Sequence, residues 1–168
     1  MELVDVNKAR YRKHLNIIIV VSIVALAAGS LGISQSLIAL FPDPDGSHFH
    51  WNLLGVILTV IAMAMIFRSI KHHPFMTEVT YVWELKKVLN RINRKGDKIK
   101  HAAQQGDVDA MTILQYSYSG SRLLWNLDDN NIVIDELTVA QAELDTLAKE
   151  HQLTLEPKNF KIEMLEKY

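Results

Sequence analysis

Two long runs without a single charged residue, 15–41 and 51–67, constrain this 168-residue chain more than any other feature. Lys, Arg or Asp at the centre of a membrane-spanning helix costs about 2.5–3.5 kcal/mol, so uncharged stretches of this length are seldom accidental. A hydrocarbon core about 30 Å thick is crossed by about 20 helical residues, and both runs fit that length. Phe49, Trp51 and Phe67 bracket the second run with aromatic rings suited to the headgroup level. The expected architecture is therefore a two-helix transmembrane hairpin, with spans over about 15–41 and 49–67 and a short external loop at 42–50.

A secretory signal is the competing reading of the first run, because Lys8, Arg10, Arg12 and Lys13 precede it and Ala25-Leu26-Ala27 resembles a cleavage site. The apolar region of a signal is about 7–15 residues, whereas this one continues well past the candidate cut. Orientation follows from the cations, which are retained on the cytoplasmic side. They flank the hairpin at Lys8, Arg10, Arg12 and Lys13 before it and at Arg68 and Lys71 after it, while the loop offers only Asp43 and Asp45. Both termini are thus expected in the cytoplasm, with a Pro42-Asp43-Pro44-Asp45-Gly46 turn outside.

Neither of the runs 15–41 and 51–67 contains an Asp, Glu, Lys, Arg or His, the groups that mark intramembrane ion or proton pathways. That weakens a channel or transporter reading. Instead, Ser22, Ala25, Gly29, Gly32 and Ser36 form a stripe of small side chains on the first span, and Gly55, Thr59, Ala62 and Ser69 form one on the second. Helices in lipid associate where small residues let backbones approach. The stripes either face each other within the hairpin or make a seam between copies of the chain.

Residues 74–168 read as a small cytoplasmic helical domain, following a short N-terminal segment at 1–14 and the hairpin region at 15–73. Val82, Leu85, Leu89, Ile92, Ile99 and Ala103 alternate at steps of three and four, predicting one amphipathic helix interrupted at a seam position by Gly96. Pro74 suits a first turn and Gly106 a C-terminal stop. Asp107 or Asp109 opens the next helix, with Met111, Leu114, Tyr118 and Trp125 on one side and a stop at Asp128-Asp129-Asn130-Asn131. Thr138 with Gln141 reads as a capping box for a further helix from Val139 to about His151, with Leu144, Leu147 and Ala148 inward. A short amphipathic tail over 160–168 is placed to dock on the bundle, and Ile132-Val133-Ile134 is too short to argue a sheet. The fold class is all-α.

Asn7-Lys8-Ala9-Arg10-Tyr11-Arg12, His73-Pro74-Phe75-Met76-Thr77-Glu78, Gln105-Gly106-Asp107, and Gly120-Ser121-Arg122 followed by Trp125 and Leu127-Asp128-Asp129 carry a resemblance across nearly the whole chain. They resemble a gammaproteobacterial family of two-span proteins of unknown function. That resemblance implies a multi-pass protein of the bacterial inner membrane and carries no activity with it.

Charge is distributed unevenly along the soluble part. Residues 68–100 hold nine Lys/Arg against three acids, and residues 101–168 hold twelve acids against five Lys/Arg. Lys87, Arg91, Arg94, Lys95 and Lys98 occupy helical positions away from the apolar seam and form a candidate contact for anionic lipid or an acidic partner. Nucleic acid is disfavoured, because no aromatics interleave these cations and the remaining domain is acidic. The alternative reading is a solvated face neutralised by that acidic half.

Other candidates carry less. His48 and His50 beside Asp43 and Asp45 have metal-ligand types, but lack the fixed surroundings that metal sites need. His72 and His73 stand at a membrane boundary, where snorkelling and pH sensing are both open. Tyr116, Ser117, Tyr118, Ser119, Gly120, Ser121 and Arg122 form a polar and aromatic patch within a helix, read as either close packing or a binding surface. The chain has no cysteine, which excludes disulfides and thiolate catalysis, and no nucleophile–base or phosphate-loop motif is found. The sequence expectation is thus a non-enzymatic, cofactor-free, membrane-anchored interaction or scaffold protein that self-associates or binds a protein partner through its soluble domain. The alternative is a small-molecule or metal-responsive membrane sensor.

Overall fold

A computed structural model describes residues 1–42, 46–129 and 134–168. The expected Asp43-Pro44-Asp45 turn, Asn130-Asn131 and Ile132-Val133 lie outside those residues. Within them the chain is all-helical, with two long apolar helices at the N-terminal end. It divides into two compact units, residues 9–80 and residues 1–8 with 81–168.

The 9–80 unit is built on α1 (Lys8–Leu40) and α2 (Phe49–Ile70). They run antiparallel and touch where side chains are smallest. A Cβ on Gly55 would lie 2.2 Å from Ser34 Oγ and 2.8 Å from the Ser30 carbonyl oxygen, and one on Gly29 would lie 2.8 Å from Thr59 Cγ2. Only glycine permits that approach. Ser34 and Thr59 are buried in this seam, and the Thr59 hydroxyl is satisfied by donating to the Gly55 carbonyl at 2.8 Å. After α2, Pro74–Met76 makes one 3-10 turn, with Pro74 first and the His73 Nδ1 accepting from Phe75 N–H at 3.2 Å. That first-turn position suits a residue with no N–H to satisfy.

In the other unit, α3 (Thr77–Asn93) contributes Val82, Leu85, Leu89 and Ile92 to the core, and α4 (Gly96–Gln104) contributes Ile99 and Ala103. The apolar seam is therefore continuous, but the helix is not. Lys95 takes a non-helical φ of −110° and ψ of 9°, and Gly96 begins a new helix where it would otherwise cost about 1 kcal/mol as an interior residue. At the end of α4, Gly106 adopts φ +87°, and its N–H donates to the Ala103 carbonyl at 2.9 Å.

α5 (Val108–Asp128) is the central helix, contacting α4, α6 (Ile134–Glu150) and the two C-terminal 3-10 turns, Pro157–Asn159 and Ile162–Lys167. The one-sided face expected for it is wider in the structure. Residues 110–114 are all buried, followed by Tyr116, Ser117, Gly120, Leu124 and Leu127. Having neighbours on several sides leaves no solvated stripe at this end. α5 closes at Asp129 in the left-handed region, φ 54°.

α6 begins earlier than the Thr138–Gln141 capping box predicts. Thr138 lies inside the helix, and Asp135 and Glu136 occupy its first turn, where negative charge complements the helix dipole. Gln141 serves instead as a donor to Gln115 Oε1 at 2.7 Å and Asp145 Oδ1 at 2.9 Å. Leu137, Leu144 and Ala148 face the core. The C-terminal tail buries Phe160 and Leu165, as 3-10 turns and not as an α-helix. Residues 1–8 belong to the same unit: Val4 N–H donates to Tyr81 Oη at 2.9 Å, which donates to the Glu2 carbonyl at 3.1 Å, and Lys8 pairs with Asp129.

Candidate functional site

The five cations of the expected contact surface separate into two groups. Lys95 Nζ donates to the Leu165 carbonyl at 2.6 Å and Lys98 Nζ to the Tyr168 carbonyl at 3.0 Å. These two hold the C-terminal tail against α4. Lys87, Arg91 and Arg94 remain on the exposed side of α3 and the turn after it. Lys87 Nζ lies 3.3 Å from Glu84 Oε1 and 5.7 Å above the Trp83 ring. The sequence reading passed over Trp83, which is 61% exposed. Its signal was available: a large aromatic off the Val82/Leu85/Leu89/Ile92 seam, followed by Lys86 and Lys87.

The tail makes a second link to the α5 N-terminus. Asp107 caps that helix, its Oδ1 accepting from Asp109 N–H at 2.9 Å and Ala110 N–H at 3.3 Å, while Lys167 Nζ sits 2.7 Å from its other oxygen. Burial pushes the Asp107 carboxyl up, but Lys167, the Ala110 N–H and Tyr168 outweigh it and hold the group below its ordinary value. Hydrogen bonding to Asp107 raises Lys167 in return.

The Tyr116–Arg122 patch is mostly interior. Tyr116 is fully buried and stacks on Phe160 with centroids 4.1 Å apart, and its hydroxyl has no hydrogen-bond partner among the described residues. Burial, with Tyr81 nearby, pushes that hydroxyl up to about 12. Gly120 lets α3 come close, since a Cβ there would lie 3.1 Å from Leu89 Cδ2.

The small-residue stripes also divide. Gly29, Gly55 and Thr59, with Ser34 and Ser30, make the α1–α2 contact, whereas a Cβ on Gly32 would meet nothing within 4 Å. Ser36 donates within its own helix to the Gly32 carbonyl at 2.8 Å. Towards the other end of the pair the helices part. Ser22 and Ala25 line one side of a groove of about 240 Å³, Met63, Ile66 and Phe67 line the other, and Phe75 and Met76 contribute from the turn after α2. Phe75 stacks on His14 at 4.0 Å, and Glu78 pairs with Arg10 at 3.0 Å. His14 Nδ1 is 3.8 Å from Glu78 Oε2, and neither atom makes a hydrogen bond among the described residues.

Of the histidines considered for metal, His48 precedes α2 without a side-chain capping bond, and the His50 ring lies 4.6 Å from that of Trp51. Asp43 and Asp45 lie outside the described residues, among which no group of three or more His, Cys, Asp or Glu could hold a metal ion. His73 is a local cap for the Pro74–Met76 turn.

A chain with two long apolar helices and a packed helical unit is a class that many functions share. Residues 1–165 match the model of a family described as a protein of unknown function (DUF3087), and the chain belongs to that family. No curated protein and no solved structure matches it.

Proposed function

We propose that this protein is a membrane-anchored interaction or scaffold module of the bacterial inner membrane. In this reading it is not an enzyme, α1 and α2 cross the bilayer, both termini and the helical unit are cytoplasmic, and copies self-associate. The observation that carries the reading is the apolar coat of the hairpin. Val20, Val21, Ile23, Val24, Leu31, Met65 and Ile66 are each 58–62% exposed, and only 6% and 11% of the apolar windows of α1 and α2 is buried. A core helix of a water-soluble domain buries most of such a surface, and large exposed apolar patches mark contact with lipid or protein. The cation asymmetry supports the orientation.

The test is a reporter active only outside the cytoplasm. It is expected to be silent at either terminus and active when inserted at Gly46; activity at the C-terminus overturns the hairpin. Self-association is supported by the open space over Gly32. Gly32→Leu is expected to reduce in-membrane cross-linking between copies while leaving α1–α2 cross-links intact, and undiminished cross-linking between copies removes Gly32 from the seam.

A second reading, a sensor of small apolar molecules, is favoured by the groove lined by Ser22, Ala25, Met63, Ile66 and Phe67. A medium-chain fatty acid is then expected to raise the Tm of the detergent-solubilised full chain by linkage, and Ala25→Phe to abolish the shift. An unchanged wild-type Tm rules this reading out.

A further inference from the structure

We infer that the Trp83 face of α3 docks on an anionic bilayer surface, deepening the interaction reading above and resting on its membrane-spanning hairpin. α3 is two-faced: Val82, Leu85, Leu89 and Ile92 are buried, and on the other side Trp83, Lys86, Lys87 and Arg91 are exposed, with Arg94 continuing the row. Trp83 is 61% exposed, so most of its apolar ring faces water, with the Lys87 ammonium at one side. Indole is at home in the headgroup layer, where its body is apolar and its N–H stays wet.

Charge chooses the occupant. The face carries four cations, and the carboxylates beside it are already engaged, Glu84 with Lys87 at 3.3 Å and Asp128 with Lys86 at 2.9 Å. The excess is positive, so the complementary surface is negative. A single-stranded nucleic acid would call for several stacking rings along the row, and here there is one. A lone exposed tryptophan beside lysines and arginines instead suits a peripheral contact, the indole at headgroup level and the cations against anionic lipid. Connectivity points the same way, since only residues 71–76 separate α2 from α3 and Thr80 Oγ1 donates to the Lys71 carbonyl at 3.2 Å.

The experiment uses the full chain reconstituted in phosphatidylcholine vesicles, with or without phosphatidylglycerol, and with brominated acyl chains as quenchers. The Trp51→Phe/Trp125→Phe variant leaves Trp83 as the reporter, and Trp83→Phe/Trp125→Phe leaves Trp51. Trp83 emission is expected to shift to the blue and be quenched when phosphatidylglycerol is present. High salt should reverse the effect, as should Lys87→Glu/Arg91→Glu/Arg94→Glu, with each cation worth roughly fivefold in partition. Trp51 reports insertion of the hairpin independently. If Trp51 is quenched while Trp83 keeps a water-like spectrum, the docking inference is overturned and the hairpin stands. If Trp51 is not quenched, the membrane reading fails and the inference falls with it. Trp83 quenching indifferent to phosphatidylglycerol, or Trp83 protected by an added oligonucleotide in preference to vesicles, overturns the anionic-lipid assignment.

Discussion

The two units are held together by opposite devices. In the 9–80 unit the helices meet through what is missing: Gly29 and Gly55 have no Cβ, and the backbones close on Ser30, Ser34 and Thr59 while the large aliphatic side chains point outward. In the other unit Leu85, Ile92, Ile99, Met111, Ile113, Tyr116 and Leu127 are fully buried around α5. There the large side chains make the contact. With the hairpin in lipid, as proposed above, the difference teaches that burial measures stability where water is the competing solvent, and close backbone approach does the equivalent work where it is not.

Swapping substitution types between the units gives the largest expected effect. Leu85→Ala leaves a cavity in a dry core and should cost about 2–5 kcal/mol, read as a drop in Tm. Leu26→Ala, on the exposed side of α1, should leave Tm almost unchanged in detergent or bilayer. The order reverses for small-to-large changes. Gly55→Ala places its Cβ against the Ser30 carbonyl, a backbone atom that cannot rotate away, and should cost about 1–3 kcal/mol. Gly32→Ala meets none of the described residues of its own chain and should leave the α1–α2 packing unchanged. A Gly55→Ala protein as stable as the parent would break the contrast.

Much of this division is legible in the sequence, because it rests on local pattern. The uncharged runs announce α1 and α2, and the steps of three and four name Val82, Leu85, Leu89, Ile92, Ile99 and Ala103 as one face. Asp107 and Gly106 are readable because a cap and a left-handed stop are properties of single residues. What escapes is set by distant partners. Nothing near Lys95 or Lys98 in the chain signals that the carbonyls of Leu165 and Tyr168 engage them. The stripes alone could not separate Gly29, which faces Thr59, from Gly32, which faces open space. The α6 start was misread because Thr138 and Gln141 fit a capping box whose geometry depends on where the preceding chain runs.

A middle-sized effect tests whether the 81–168 unit depends on its tail as well as its core. Asp107 both caps α5 and receives Lys167. Asp107→Ala should lower stability by about 1–2 kcal/mol, mostly through the cap, and Lys167→Ala by less, since that pair is exposed. The pH dependence follows from the direction of the shift. The folded state holds the Asp107 carboxyl below its unfolded value of 3.8, so its contribution is complete above that pH and is lost as pH falls through the depressed folded value. A melting series from neutral to acid pH should therefore show the difference between parent and Asp107→Asn narrowing only below about pH 4. A gap that closes near neutrality would assign it to another group.

The smallest expected change has an informative sign. Tyr116 contributes its ring to the core, stacked on Phe160, but its hydroxyl is buried without a partner among the described residues. Burying an unpaired polar group costs about 1–3 kcal/mol relative to satisfying it, whereas the ring's burial and stacking survive removal of the oxygen. Tyr116→Phe should therefore leave stability unchanged or raise it by up to about 1 kcal/mol, while Tyr116→Ala should lose about 3–5 kcal/mol as core truncations of aromatic rings do. Spectroscopic titration gives a second check: the parent should contain a tyrosine ionising near 12, displaced by burial and by Tyr81, and Tyr116→Phe should lose it while Tyr168, also raised to about 12, keeps its own. A Tyr116→Phe protein destabilised by more than about 1 kcal/mol would mean that the hydroxyl is hydrogen-bonded after all. The unit built around α5 would then be held by a buried polar link as well as by apolar side chains, which would blur the contrast with the hairpin.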